Sequence, residues 1–204
     1  MRSWEALPDH VLREAGEAST TLIGRGIRDY RAAGRFVHEM PYGRNSDRAD
    51  YRLVLREGRG TCSTKHALLA AVAAEQRLAV VLTIGIYDMN EANTPGVGRI
   101  LAASGLESIP EAHCYLTYRG ERIDVTRSGV SPTAAISRFH REWNITPADI
   151  GSRKIALHQT YLREWLADRH ALVLSFEELW RVREQCIQSL GVPEYRKEDD
   201  HQPM

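Results

Sequence analysis

Residues 58 to 69 read Gly58-Arg59-Gly60-Thr61-Cys62-Ser63-Thr64-Lys65-His66-Ala67-Leu68-Leu69. The glycines allow a sharp turn, and Thr61 is a good helix N-cap type. Apolar residues at Ala67, Leu68, Ala71, Val72 and Ala74 keep helical spacing. The pattern predicts a helix that opens at Cys62, ends near Arg77 and is buried over most of its length. Cys62 then occupies the first turn, where free N–H groups and the positive end of the helix dipole favour a thiolate over a thiol. A nucleophilic cysteine needs that environment. A small cysteine packed under a glycine turn is the plainer reading of the same residues.

Downstream of this helix, Val80 to Tyr87 is short and rich in β-branched residues, which predicts a buried strand. A loop with Asn, Pro and Gly follows to Gly98, then a short helix over 98–104. Glu111 to Tyr118 and Glu121 to Thr126 are extended runs on either side of Arg119-Gly120, which predicts an antiparallel hairpin. With a two-residue loop, Tyr118 faces Glu121, Tyr115 faces Asp124, and Asp124 becomes the diagonal neighbour of His113 on the same face. A four-residue loop sets His113 and Asp124 opposite one another. A three-residue loop without a bulge sends them to different faces.

Upstream, residues 8–39 read as helix in two pieces, the first starting at Pro8-Asp9 and the second near Ser19-Thr20. Pro41 ends the second piece. Residues 41–48 are a polar loop, and 50–57 form a short helix or an extended segment leading into the glycine turn. Beyond the hairpin, 131–190 is expected to be helical, in segments 132–141, 147–167 and 175–190 that begin at Pro132, Pro147 and Ser175. The polar tail, with Pro193 and Pro203, is expected to be disordered over 196–204. The expected organisation is one domain over 1–195, with its core at about 40–127 and a helical cover at 131–190.

Lys+Arg and Asp+Glu each total 27 in 204 residues, so no global basic field exists to attract nucleic acid or an anionic membrane. Three cysteines make no disulfide framework and fit a reducing, cytoplasmic setting. No apolar h-region follows Arg2, and no apolar run approaches the ~18 residues of a spanning helix.

A thiol at a helix start, an imidazole on one strand and a carboxylate on the next form a Cys62, His113, Asp124 set. His113 takes or shares the thiol proton, Asp124 orients the ring, and the thiolate attacks a carbonyl carbon. The Cys62 backbone N–H is placed to hold an oxyanion. The pattern Gly60-x-Cys62-x-x-Lys65-x-x-Leu68-Leu69 opening a helix resembles the nucleophile segment of the transglutaminase-like superfamily. His113, followed after a hairpin by Asp124-Val125-Thr126, resembles its His strand and its Asp-x-Thr strand. The resemblance covers about residues 40–127. It implies an α+β fold with a papain-like core, in which the Cys-bearing helix packs on an antiparallel sheet, flanked here by N- and C-terminal helices. It implies Cys62 as nucleophile, His113 as general base and acid, and Asp124 as orienting group. The activity implied is hydrolysis or transfer at an acyl or amide bond through a thioester, on a peptide, protein or small amide, with no cofactor. Water, which needs no second binding site, is the favoured acceptor. The alternative is an inactive relative that binds a protein or peptide in the cleft. Two departures stand out: Cys114 rather than an aromatic residue follows His113, and Val125 stands where a proline is frequent.

Other residues carry less. Cys62 and His66 share a helix face, but His113 and Cys114 point to opposite faces of a strand, which argues against a zinc site. His66 reads as a polar neighbour or a packed ring, and Lys65 as a solvated lysine. Tyr42 is a candidate hydroxyl near the thiol and more simply a tyrosine beside a turn. Cys186, Trp143, Trp165 and Trp180 read as core or interface. Arg44, Arg48, Arg52, Arg56 and Arg59 read as a solvated basic face. Gly24-x-Gly26 follows no strand and is no dinucleotide fingerprint.

Overall fold

The helix that opens at Cys62 is the element on which its neighbours pack. It spans Cys62–Glu75, and every residue from Cys62 to Ala73 is buried. A helix buried on every side belongs in the middle of a core, and its alanines let neighbours approach closely. In the computed structural model, residues 3–127, 136, 138–169 and 172–191 are described. Among them are seven helices, α1 Glu17–Gly24, α2 Tyr30–Glu39, α3 Leu53–Glu57, α4 Cys62–Glu75, α5 Gly98–Ala103, α6 Ser152–Ala167 and α7 Phe176–Ser189. Four strands, β1 Val81–Met89, β2 Ile109–Tyr118, β3 Glu121–Ile123 and β4 Arg141–Ile145, form one antiparallel sheet in the order β3-β2-β1-β4. The protein is therefore α+β, as its sequence predicts. Among the described residues no helix is long and apolar enough to cross a membrane.

The sheet alternates as strands must. Leu82, Ile84, Ile86, Ala112, Cys114, Leu116 and Ile123 share a core with α2 and α4. Tyr87, Met89 and Ile109 join a second cluster with Leu101, Leu162, Leu179, Val182 and Cys186 from α5, α6 and α7. The β2–β3 hairpin takes the two-residue register, with Tyr118 opposite Glu121 and Leu116 opposite Ile123. Arg119 and Gly120 have φ of 50° and 81°, the positive pair that a tight hairpin turn requires.

Three expectations need correction. Residues 8–16 are not helical. His10 and Leu12 pair with the chain at Arg28 and Tyr30, and Leu7 and Leu12 are buried from this irregular segment. The first helix starts at Glu17 and breaks after Gly24, and α2 begins behind Asp29, whose carboxylate accepts from the Ala32 N–H at 2.7 Å. The N-terminal amides of α1 are satisfied from far away. Glu75 at the end of α4 accepts from the N–H groups of Ala18 and Ser19 at 2.9 and 2.7 Å, a cap invisible in local sequence. Finally, the expected helix 132–141 gives way where it is described. Phe139 and His140 are irregular and Arg141–Ile145 is the edge strand β4, with Glu142 opposite Gly85 and Trp143 opposite Ile84. Residues 131–135 and 137 lie outside the described residues, as does the 196–204 tail. The segments at 147–167 and 175–190 are a 3-10 turn followed by α6, and α7.

Candidate active site

The turn before Cys62 is locked by a network that starts in the polar loop. Asn45 is buried, and its amide donates to the Arg59 carbonyl at 3.0 Å. Thr64 donates its hydroxyl to Asn45 Oδ1 at 2.8 Å and accepts from the Thr61 N–H at 3.0 Å. Gly60 is required by close approach rather than by φ. A Cβ there would stand 2.9 Å from Lys65 Cγ and Thr64 Oγ1. Tyr42 bridges to Gly60, which sets its ring beside the cleft that Cys62 lines.

His113 on β2 and Asp124 meet as the two-residue register requires. His113 Nε2 lies 2.7 Å from Asp124 Oδ2. Asp124 itself falls one residue beyond the end of β3 rather than within a strand. Its Oδ1 also accepts from the backbone N–H of Thr126 at 2.9 Å, a local turn that aims the carboxylate. With Nε2 committed to Asp124, Nδ1 is the nitrogen left for the thiol.

The two residues that read as bystanders on α4 hold this corner together. His66 is fully buried; its Nδ1 donates to the Cys62 carbonyl at 2.7 Å and its Nε2 accepts from the Val125 N–H at 2.9 Å. Both ring nitrogens are therefore occupied by backbone, and burial lowers its pKa to about 4. Lys65 is not solvated, contrary to expectation. It is fully buried, and its ammonium donates to the carbonyls of Met40 at 2.6 Å and Thr126 at 2.9 Å. One helix thus presents the thiol in its first turn and pins the 124–126 segment with its next residues. Among the described residues no group of three or more His, Cys, Asp or Glu could hold a metal ion.

The other side of the cleft comes from residues that sequence reasoning missed. Lys154 on α6 is buried and donates to Ser63 Oγ at 2.7 Å. Glu111 on β2 is buried and clasped by Arg183 of α7, with Nε–Oε2 at 2.6 Å and a second bond at 2.5 Å. His158 donates to the Pro110 carbonyl at 2.8 Å. These residues line the cleft with Cys62, Tyr42, Arg44, Arg48 and Trp180. Arg44 and Arg48 thus face the cleft rather than open solvent alone. A signal existed: Glu111 interrupts an apolar strand, and Lys154, His158 and Arg183 fall on the inward stripes of their helices, where a charge needs a partner.

The electrostatics follow. Burial pushes the Cys62 thiol up. The Lys154 ammonium, the His113 ring and the Cys114 backbone N–H pull it down further, to about 6. His113 is lowered by burial but raised more by Asp124 and by Cys62, to about 10. Asp124 is held well below the usual carboxylate range by His113, against burial. The neighbouring thiols go the other way, since burial raises both Cys114 and Cys186 to about 11. The thiol is pulled down and the imidazole up, so the charges around them favour a thiolate beside an imidazolium. Compared with protein-family profiles, curated proteins and solved structures, the chain gives no significant match.

Proposed function

We propose that this protein is a cysteine-dependent hydrolase or transferase of acyl or amide bonds, with a papain-like, transglutaminase-like core. The observation that carries the reading is the 2.7 Å contact of His113 Nε2 with Asp124, which leaves Nδ1 for a thiol held in the first turn of a buried helix. The thiolate of Cys62 attacks a carbonyl carbon, and the oxygen takes the negative charge beside the Cys62 N–H. The imidazolium of His113 gives its Nδ1 proton to the leaving amine, and a thioester remains. Neutral His113 then draws a proton from water, or from an acceptor amine, as that nucleophile attacks the thioester. Water is the favoured acceptor. The substrate class is a peptide, a protein or a small amide.

A neutral activated ester, p-nitrophenyl acetate, tests this without knowledge of the substrate. Peptide mapping is expected to find acetyl on Cys62 and not on Cys114 or Cys186. The acetyl group should leave on turnover, and an added alkylamine should divert it only if the protein is a transferase. An unacylated Cys62, or an acetyl group that stays, favours the inactive peptide-binding relative.

A further inference from the structure

Three charged pairs surround the Cys62 sulfur, and only two are complete without it. Asp124 is bound to His113, and Glu111 accepts two bonds from Arg183. The third cation is Lys154. Among the described residues its one hydrogen bond is to Ser63 Oγ at 2.7 Å, and no carboxylate forms an ion pair with it. Ser63 Oγ in turn lies 3.9 Å from Cys62 Sγ and 3.7 Å from Cys114 Sγ. An ammonium has three donors, and a buried one without a counter-charge is costly. The groups around the sulfur and its cleft are His113, Glu111 and Cys114 from β2, Lys154 and His158 from α6, Arg183 from α7, and Tyr42, Arg44 and Arg48 from the loop, with Asp124 behind His113. Of the neighbouring thiols, Cys114 is the one that burial keeps protonated.

We infer that Lys154 is the fixed counter-charge of the nucleophile: its ammonium holds the Cys62 thiolate and then the oxyanion that replaces it. This rests on the reading of Cys62 as nucleophile. Leaving aside the exposed rim residues Arg44 and Arg48, the inner set is neutral at rest: Cys62, Asp124 and Glu111 are negative while His113, Lys154 and Arg183 are positive. On attack, the sulfur electron pair forms the C–S bond and the C=O π pair moves onto oxygen. The negative charge shifts from sulfur to oxygen, and Lys154 stays beside it. On collapse, the C–N bond breaks and the His113 proton leaves with the amine. Thioester and imidazole are then both neutral, and the remaining two anions and two cations balance. Without Lys154 the set carries a surplus negative charge at every stage. His113 cannot supply this constant charge, because it must give its proton away.

The test compares two reagents on wild type, Lys154→Met and Lys154→Arg. Iodoacetamide builds no oxyanion, so its pH profile reads the thiolate alone. In Lys154→Met the alkylation midpoint of Cys62 should rise by about one pH unit or more. Lys154→Arg should keep most of the wild-type profile. At about pH 9, where His113 is still charged and Cys62 is a thiolate in all three proteins, alkylation should become equal. Acylation by p-nitrophenyl acetate should stay about tenfold slower in Lys154→Met, since the oxyanion has lost its cation. An unmoved midpoint with unchanged acylation overturns the inference while leaving Cys62 as the nucleophile. If wild-type Cys62 is no more reactive than Cys114, the nucleophile reading itself fails. Should Lys154→Met not fold, lysine ¹⁵N spectra of the wild type decide. The Lys154 Nζ signal should shift with the thiolate near pH 6 and lose that step once Cys62 is carbamidomethylated, and a signal blind to both overturns the inference.

Discussion

The two flanks of Cys62 are built on different principles. The hairpin flank supplies His113, with one movable proton on Nδ1, and Asp124, which holds Nε2 with a carboxylate whose side chain is 44% exposed. The helical flank supplies fixed charges, Lys154 and the Glu111–Arg183 clasp, and the neutral ring of His158, all buried between α6, α7 and β2. Each flank holds a buried histidine, and the two are shifted in opposite directions. His113 is raised because Asp124 and Cys62 face it; His158 falls to about 4 because burial outweighs Glu111, already neutralised by Arg183. What decides the state of a buried ring is whether the nearest anion is still free to answer it.

If the flanks divide the work in this way, removing the movable proton should cost the most. His113→Ala should slow acylation of Cys62 by about 10²–10⁴-fold, the range of general acid–base catalysis. That exceeds the loss expected at Lys154. Equal losses at the two positions would erase the distinction between them.

The helical flank should instead dominate stability. Glu111→Gln removes the buried carboxylate that takes two bonds from Arg183 and leaves the guanidinium only half-buried Glu184, at 2.6 Å, so it should cost about 3 kcal/mol in denaturant unfolding. Asp124→Asn should cost less, about 1–2 kcal/mol, because the half-exposed carboxylate is screened by solvent. A larger loss at Asp124 than at Glu111 would reverse the assignment. Between these in kind lies Gly85, opposite His113 in the sheet, where an added Cβ would meet Phe139 Cδ1 at 2.3 Å. Phe139 stacks on Tyr115 at 4.9 Å, and Tyr115 on His113 at 6.3 Å. Gly85→Ala should therefore disturb the hairpin flank first, by about 1–3 kcal/mol, and reach the second cluster through Phe139.

The hairpin flank was legible because its geometry is a matter of parity. Two residues between two extended runs fix which side chains share a face, and Asp124 needed only to be one strand away. The nucleophile helix was legible because Gly60, Thr61 and an alanine-rich run are local signals. The helical flank was not, because Lys154, His158 and Arg183 reach the cleft across 91, 48 and 72 residues of chain. Only their place on inward helical stripes hinted at partners. Lys65 misled for a similar reason: its two carbonyl acceptors, on Met40 and Thr126, come from distant segments. The edge strand β4 was missed because it borrows its ladder from β1, and the start of α1 because its cap is Glu75.

The pH dependence of stability separates the two flanks by sign. A raised histidine contributes stability that is complete below its unfolded pKa of ~6.5 and lost as pH rises through the folded value. For His113 that loss runs up to about 10. His158, lowered to about 4, does the reverse: stability falls as pH drops from ~6.5 toward that value, because the unfolded chain binds the proton first. His158→Gln should flatten the acid limb, and His113→Gln the alkaline one. Denaturant midpoints across pH check both, and swapped limbs would mean the two shifts are misassigned.

The most direct measurement is the ultraviolet absorbance of the thiolate, titrated in the wild type and in Cys62→Ser. The difference between the two proteins isolates one sulfur. One thiolate should appear with a midpoint near 6, and in His113→Ala the midpoint should move up. A difference signal that rises only at or above the ~8.5 of an ordinary cysteine, indifferent to His113, would make Cys62 a packing residue and contradict the account.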